Sequence, residues 1–555
     1  MPLLRPLRTL ALTCLALLCV SLAVTAGPAS AKKDLESMFQ DDNSLIFNDA
    51  PGATAKVMDE LKTLGVDRIR VSVFWATVAP DSKNTVRPAD FDATNPDAYP
   101  PGAWARYDQI VRLARERNIA VNFNVTSPAP FWATGTPAAG REDLKETFDP
   151  RPKEFGQFVV ALGKRYSGAW TADGSLIPRV RYWSIWNEPN QAAWLSPQSA
   201  RDPRSKKAFV ETAPVLYRNL VDAAWSALQL TDHGKDTILI GETAPKGRKN
   251  ELDTSLPMDP LRFIRNVYCL DKNLQLYKGS SAIIRSCPVG PKALTDFVTQ
   301  HPALFQATGF AHHPYALTSK PTAKFTSKDW VTIGNLPDLT KLLRKIYQRY
   351  RQLIPDKQKN VPLYLTEFGY QSRPPDPTGV SLKQQAAFNN ESEYLAWKDP
   401  NARTLSQFLL VDDKPIEGKS DLERFGKTFQ TGLLSCTYIK ASDTCETGKR
   451  KPAYGAYALG IHLPSARATS TRNLKVWGVA RIAPRGKVKI TVELRSAKKG
   501  SRFKKAGSLT TDAKRGYVFG NVKVARAGDV RLAYKAANGL TYHSRPVAFA
   551  LKKKK

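Results

Sequence analysis

The sequence predicts an α/β chain: a (β/α)8 barrel followed by a small all-β sandwich. Three observations carry that prediction. Between about residues 35 and 460, short apolar runs alternate with amphipathic helical stretches, the pattern of β/α units around a parallel sheet. No glycine-rich phosphate loop follows any of those runs, which disfavours a doubly wound dinucleotide-binding sheet. After "PSARATSTR" the rhythm changes to short alternating runs separated by Gly, Asp and Lys turns, which reads as an antiparallel sandwich.

Taken in order, the barrel strands are expected at "SMFQ" (37), "RIRVSVF" (68), "AVNFNV" (120), "RYWSIWN" (181), "TILIGE" (237), "ATGFAHH" (307), "PLYLTEF" (362) and "SQFLLVDD" (406). Between them lie helical stretches at "ATAKVMDELKTLG" (53), "WARYDQIVRLARERN" (104), "PKEFGQFVVALGKRY" (152), "APVLYRNLVDAAWSALQ" (213) and "LPDLTKLLRKIYQRY" (336). In the last, Leu339, Leu342, Leu343 and Ile346 recur at three- and four-residue steps, an apolar stripe to lay on a sheet. Six sandwich strands follow at "KVWGVARI", "KVKITVELRS", "FKKAGSLTT", "YVFGNVKV", "VRLAYKAA" and "RPVAFAL". The expected units are a secretory signal at 1–31, the barrel at 32–464, a basic β-sandwich at 465–551 and a disordered lysine tail at 552–555.

The chain has 555 residues, 42% of them hydrophobic and 10% aromatic, enough apolar side chain for a sizeable core and too much for a disordered polymer. Arg5 and Arg8 precede "TLALTCLALLCVSLAV", and "ASA" at 29 to 31 offers small residues for cleavage, so the first residues read as an export signal. No later run is long enough to span a membrane, and a secreted or cell-wall-associated protein is expected. Cys14 and Cys19 would leave with the signal. The remaining Cys269, Cys287, Cys436 and Cys445 are expected to pair as neighbours, 269 with 287 and 436 with 445, as suits an oxidising compartment.

The net charge of +33 is unevenly placed. From Arg467 to the end, 24 Lys and Arg face only Glu493, Asp512 and Asp529. This module reads either as a solvated, soluble β-domain or as a surface for anionic cell-wall polymer or acidic polysaccharide. Nucleic acid is disfavoured by the export signal and by the absence of a recognition motif. The global charge therefore says little about the barrel.

Barrel chemistry gathers at the carboxyl ends of the strands, so polar residues that end apolar runs are informative. The fourth run ends on Asn187 and Glu188, with Pro189 stopping the strand. The seventh closes on Glu367, with Gly369 just beyond. Strands four and seven lie on opposing parts of an eight-stranded ring, so two carboxyls can face each other across a central pocket. Such a pair suits glycosidic bond cleavage: one protonates the departing oxygen, and the other attacks the anomeric carbon or activates water.

"WSIWNEPN" and "LYLTEFGYQS" resemble the acid/base and nucleophile motifs of the clan A glycoside hydrolases, in the neighbourhood of families 5 and 39. The resemblance spans about residues 35 to 460. It implies a TIM barrel and a retaining double displacement with no cofactor, Glu188 serving as general acid/base and Glu367 as nucleophile. Arg70 resembles the strand-two arginine that keeps the nucleophile ionised, Asn187 the amide that binds the sugar 2-hydroxyl, and His313 with Tyr315 the clan's His-x-Tyr arrangement. His312 is expected to be a packing residue, and no third ligand is spaced to make a metal site with the two histidines.

Trp75, Trp132 and Trp194 follow strands and are candidate sugar platforms, with one of the three expected to touch substrate. Asp41, Asp42, Glu242, Asp412 and Asp413 are further rim carboxylates, each open to capping or solvation as much as to sugar binding. The sequence departs from the clan where strand eight ends "FLLVDD" without the usual sugar-stacking tryptophan, and where strand three ends "NFNV" without a histidine. Two competing readings stand beside a carbohydrate-cleaving hydrolase: a catalytically inactive glycan-binding barrel and a basic cell-surface adhesion protein. The hydrolase reading expects turnover to survive removal of residues 467 to 555; the adhesion reading expects that removal to abolish the main activity.

Overall fold

The structure is a computed structural model that describes residues 34–202, 204–205, 208–248, 252–354 and 361–552. The expected signal and the last three lysines of the expected tail lie outside the described residues. Eight parallel strands close into a barrel: β1 (Glu36–Gln40), β2 (Arg68–Phe74), β3 (Ala120–Thr126), β4 (Tyr182–Ile185), β5 (Thr237–Thr243), β6 (Gly309–His312), β7 (Leu363–Leu365) and β8 (Ala402–Phe408). Each pairs with its neighbours in chain order, and β1 closes the ring on β8, with Phe39 opposite Gln407.

The eighth strand lies earlier than its sequence run suggests. Leu409 adopts a left-handed backbone (φ 68°), which ends β8 and carries "LVDD" into the following loop. The strand itself, "ARTLSQF", alternates buried and half-buried residues, a weaker apolar signal than the leucines beyond it.

The helices α1 (Ala53–Thr63), α2 (Ala105–Glu116), α3 (Pro152–Arg165), α4 (Ala213–Leu230), α5 (Pro260–Val267), α6 (Ala293–Gln300), α7 (Leu336–Tyr350) and α8 (Leu382–Lys398) connect the strands. In α7 the stripe Leu339, Leu342, Leu343 and Ile346 is buried as its spacing requires. Helix α8 begins with a capping box in which Ser381 and Gln384 satisfy each other's backbone N–H groups. Both expected disulfides are present, Cys269–Cys287 and Cys436–Cys445. Among the described residues, no helix is long and apolar enough to cross a membrane.

After the barrel come a hairpin, β9 (Leu434–Ile439) with β10 (Thr444–Arg450), and then two sheets. One joins β11 (Leu459–His462), β12 (Asn473–Ala480) and β15 (Tyr517–Lys523). The other is built on β13 (Lys489–Ser496), β14 (Lys504–Thr510), β16 (Gly528–Lys535) and β17 (Val547–Leu551). Ile461, Leu474, Val476, Val518 and Val522 from the first sheet share one core with Ile490, Val492, Val530, Leu532 and Phe549 from the second. Apolar residues alternating on both inner faces make this a sandwich. Strand β11 belongs to it although it precedes the expected boundary at 464.

The sandwich is built onto the end of the barrel where the strands begin. Trp477 and Tyr517 of the three-stranded sheet pack against Trp397 of α8, with ring centroids 6.2 Å apart in each case. Arg515 pairs with Asp34 and Glu36 at the start of β1 and with Asp67 just before β2. Arg481 is buried and pairs with Glu393, which also accepts from the Tyr517 hydroxyl at 2.8 Å. Residues 467 to 555 thus supply partners to Glu393, Asp34, Glu36 and Asp67 of the barrel. The module therefore packs on the floor of the barrel.

Candidate active site

A cavity of about 570 Å³ opens at the carboxyl ends of the barrel strands, lined among others by Asn187, Glu188, Trp194, Tyr315, Glu367 and Phe408. Glu188 and Glu367 face each other there. An oxygen of Glu188, a ring nitrogen of His313 and an oxygen of Glu367 all lie within 4.8 Å of one another. The local backbone is unusual where β4 ends: Trp186 and Glu188 both adopt left-handed conformations, φ 66° and 34°. Such strain in non-glycine residues persists only where the surroundings over-determine it. Here the indole Nε1–H of Trp186 donates to the carbonyl of Trp194 at 2.9 Å, and the Asn187 N–H to Thr126 Oγ1 at 3.1 Å.

Beneath the cavity Arg70 is fully buried. Its Nη1 donates to Glu367 at 2.8 Å and to Gln40 at 2.5 Å, and its Nη2 donates to Asn187 at 2.7 Å and to Glu242 at 3.0 Å. One planar fork therefore spans groups from β1, β4, β5 and β7, a task its fixed geometry suits. Burial would lower its pKa, but Glu242 and Glu367 outweigh that and raise it. The Tyr315 hydroxyl donates to the other oxygen of Glu367 at 3.1 Å. Burial, and after it the charge of Glu367, holds that phenol well above its ordinary pKa, so Tyr315 remains a donor.

The sequence leads one to expect that a cation beside Glu367 lowers its pKa. Arg70 is beside it, yet the net direction is upward, because burial outweighs His313 and Arg70 and is reinforced by Glu188 and Glu242.

His313 sits at the centre of the carboxyls. Its Nδ1 is 2.9 Å from Glu188 and 3.5 Å from Glu367, and its Nε2 is 2.8 Å from Glu242. Burial alone would lower its pKa, but Glu367, Glu188 and Glu242 raise it to about 10. An imidazole that is protonated on both nitrogens donates to a carboxylate on each side. His312 is the packing residue expected: Thr243 and Val331 bond its two nitrogens, and burial lowers its pKa to about 3.

The tryptophans divide. Trp75 and Trp132 are buried, stacked into an aromatic core with Phe155 and Phe158 behind the barrel wall, and neither lines the cavity. They are corrected from candidate sugar platforms to packing residues. Trp194 alone of the three lines the cavity. The aromatic wall that sequence reasoning missed is formed by Phe408, at the last position of β8, with Phe429 against it at 5.1 Å and Tyr315 at 6.4 Å. The signal was an aromatic at a strand end, hidden by placing that end at the aspartates.

The rim carboxylates also divide. Asp41 caps the short helix Asp42–Leu45 and accepts from the N–H groups of Leu410 and Val411. Asp412 is buried against Lys451 at 2.7 Å. Asp42 and Asp413 line the cavity, and burial raises both, Asp413 to about 6. Glu242, read from sequence as a rim group, is instead fully buried and central. Gln40 and Asn124 were not foreseen. In the amide orientation that satisfies both its ends, Asn124 accepts from Arg70 at 3.0 Å and donates to the Trp186 carbonyl at 2.8 Å. Both are inward-facing polar residues on apolar strands, which is the signal that could have found them.

No protein-family model matches the chain, and no curated protein matches it. Solved structures do. An aphid myrosinase is 13% identical, with 77% of this chain and 97% of that chain covered and a TM-score of 0.43. A psychrophilic β-glucosidase from Micrococcus antarcticus is 15% identical, covering 78% and 97%, with a TM-score of 0.41. A glycoside hydrolase family 5 mannosidase from Rhizomucor miehei is 10% identical, covering 68% and 83%, with a TM-score of 0.35.

Proposed function

We propose that the protein is a glycoside hydrolase that cleaves an O-glycosidic bond of an oligo- or polysaccharide by a retaining double displacement, with Glu188 as general acid/base and Glu367 as nucleophile. The observation that carries this reading is the short separation of the two carboxyls, within 4.8 Å at their nearest oxygens. A double displacement uses carboxyl groups about 5–5.5 Å apart, whereas an inverting site needs about 6.5–9.5 Å to admit a water.

The roles divide by hydrogen bonding. Glu367 accepts from Arg70 and from Tyr315, two donors that favour its ionised form. Glu188 faces the cavity with one oxygen held by His313, leaving the other to meet the departing oxygen as general acid. Glu367 then attacks the anomeric carbon, and the aglycone leaves with the proton from Glu188. Once Glu367 is esterified its charge is masked. Glu188, now ionised beside the His313 cation, takes a proton from the incoming water, and the sugar leaves with its configuration retained. Asn187, held by Arg70, is placed to bond the sugar 2-hydroxyl, and Trp194 and Phe408 supply faces for sugar rings.

The same reading takes the chain as exported, on its signal-like first residues and its two disulfides, with the basic module meeting an anionic wall polymer or acidic polysaccharide. The three acids of that module are engaged: Glu493 pairs with Arg531, Asp529 with Arg495, and Asp512 accepts from backbone N–H groups. Lys489, Lys498, Lys499, Arg502, Lys504 and Lys505 are exposed and form no ion pair among the described residues.

The test is covalent trapping. A 2-deoxy-2-fluoro glycoside with an activated leaving group, chosen from a panel of sugars, should leave a label on the peptide carrying Glu367. A label on another residue, or turnover by Glu367→Gln equal to wild type across the panel, overturns the reading.

A further inference from the structure

We propose that Glu242 is a positioning residue of this site: its buried carboxylate fixes His313 as an imidazolium whose Nδ1–H points at Glu188, and through Arg70 it fixes Glu367. The backbone delivers it there by leaving regular geometry. Gly241 has φ 106° and Glu242 φ 46°, and the pairing of β5 with β6 shifts register between Phe310 and His312. A side chain added at Gly241 would meet the ring of Phe310 and the carbonyl of Ala311 at 2.6 Å, so the turn requires glycine.

Glu242 is fully buried and does not line the cavity, so it acts through its neighbours. Three donors converge on its Oε2: Arg70 Nη2 at 3.0 Å, His313 Nε2 at 2.8 Å and Thr366 Oγ1 at 2.8 Å. Burial would raise its pKa, but Arg70 and then His313 hold it at about 2. It is therefore a permanent anion. With Nε2 committed to that anion, His313 presents Nδ1–H to Glu188 and Glu367. The other groups around them are Arg70 from β2, Asn187 after β4, the Tyr315 hydroxyl and neutral His312.

Arg70 and His313 each face Glu242 on one side and a cavity carboxyl on the other, Glu367 for the guanidinium and Glu188 for the imidazole. In the second half-reaction the imidazolium faces an ionised Glu188 and supports it as base. Without Glu242 the imidazolium would lose one of its counter-charges, and the guanidinium one of its anchors.

The inference rests on the proposed hydrolysis only for its rate readout; the protonation of His313 is measured independently. Histidine ring signals of the full chain, isotopically labelled and assigned with His313→Asn, are titrated from pH 5 to 10.5. Wild-type His313 should hold its proton beyond pH 9, and Glu242→Gln should lower its pKa by about 1–3 units, the effect of one adjacent opposite charge. In the same variant kcat should fall about 100-fold with KM within about threefold, as expected when reacting groups are misplaced by about 1 Å. A variant whose His313 keeps the wild-type titration overturns the proposal. Should Glu242→Gln not fold, wild type decides alone: a His313 that loses its proton below pH 7.5 overturns the proposal, and one still charged at pH 9 supports it. Failure of trapping at Glu367 would sink the hydrolase reading and leave this titration standing.

Discussion

Replacing Arg70 with lysine keeps a positive charge under the cavity and removes the fork. The guanidinium donates to Glu367, Gln40, Asn187 and Glu242, at 2.5–3.0 Å, from two nitrogens held in one plane. An ammonium is a point donor on a shorter reach, and these acceptors sit at the ends of four different strands, so lysine serves about half of them. Two lost hydrogen bonds to charged partners, each worth about 1.5–3 kcal/mol, predict a destabilisation of about 3–6 kcal/mol. This is within the margin of a stable chain, about 5–15 kcal/mol, so the variant should fold. Its kcat/KM should drop by about 100-fold or more, because Glu367 and Asn187 lose their common anchor and a misplacement of about 1 Å suffices for that loss. The assays are urea unfolding and turnover of the aryl glycoside that wild type cleaves best. A variant within threefold of wild-type kcat/KM, or within about 1 kcal/mol of its stability, would refute the idea that the fork organises the site.

Other consequences are as definite. Glu188→Ala should lose turnover of substrates with poor leaving groups, and azide should restore turnover of an activated aryl glycoside with retained configuration; no rescue counts against the acid/base assignment. Because the folded pKa of His313 is raised to about 10, its contribution to stability is fully present below about 6.5 and is lost as pH rises through about 10. Thermal unfolding midpoints should accordingly fall between pH 8 and 10.5, and His313→Asn should flatten that slope. Trp194→Ala should raise KM with little change in stability, whereas Trp75→Ala should cost about 3–5 kcal/mol of stability and leave KM near wild type. Deleting residues 467 to 555 should yield an aggregating or largely unfolded chain; a soluble, active barrel would show that the sandwich is dispensable to it.

The barrel was legible because its signals are local. Seven of the expected runs coincide with barrel strands, and the one that slipped did so where Leu409 turns left-handed inside a continuous apolar run, which periodicity cannot detect. Glu188 and Glu367 were legible as charges that end apolar runs. Glu242 ends a run too, but whether such a group points into solvent or under the cavity depends on the φ of Gly241 and on Arg70 and His313 waiting there, both set by other strands. Trp75 and Trp132 were misread for the complementary reason. Their place after a strand fits a platform as well as a core residue, and distant aromatics decide the matter: Phe155 and Phe158 of α3 pack on Trp75, and Trp75 and Phe91 pack on Trp132. The docking of the sandwich could not be read at all, since Arg515 finds Asp34, Glu36 and Asp67 across more than 440 residues of chain.

Under the proposed hydrolysis, the placement of charge favours a neutral glycan over an acidic one despite the basic chain. The excess of lysine and arginine lies in the sandwich, which is seated where the barrel strands begin, while the cavity opens where they end. Around the cavity the buried cations are already matched by Glu242 and Glu367. The further carboxyls that line it, Asp42 and Asp413, offer hydrogen-bonding groups and no positive charge to receive another anion. Among the described residues Lys246 is the one lining cation, and it lies over the rings of Phe325 and Trp330, 4.3 and 4.7 Å from their centroids, where an aromatic face already serves it. A sugar bearing hydroxyls alone meets donors and acceptors of both kinds here and aromatic faces for its rings. A uronic acid in the same position would place its carboxylate against Glu188 and Glu367, the acids that the proposed chemistry uses.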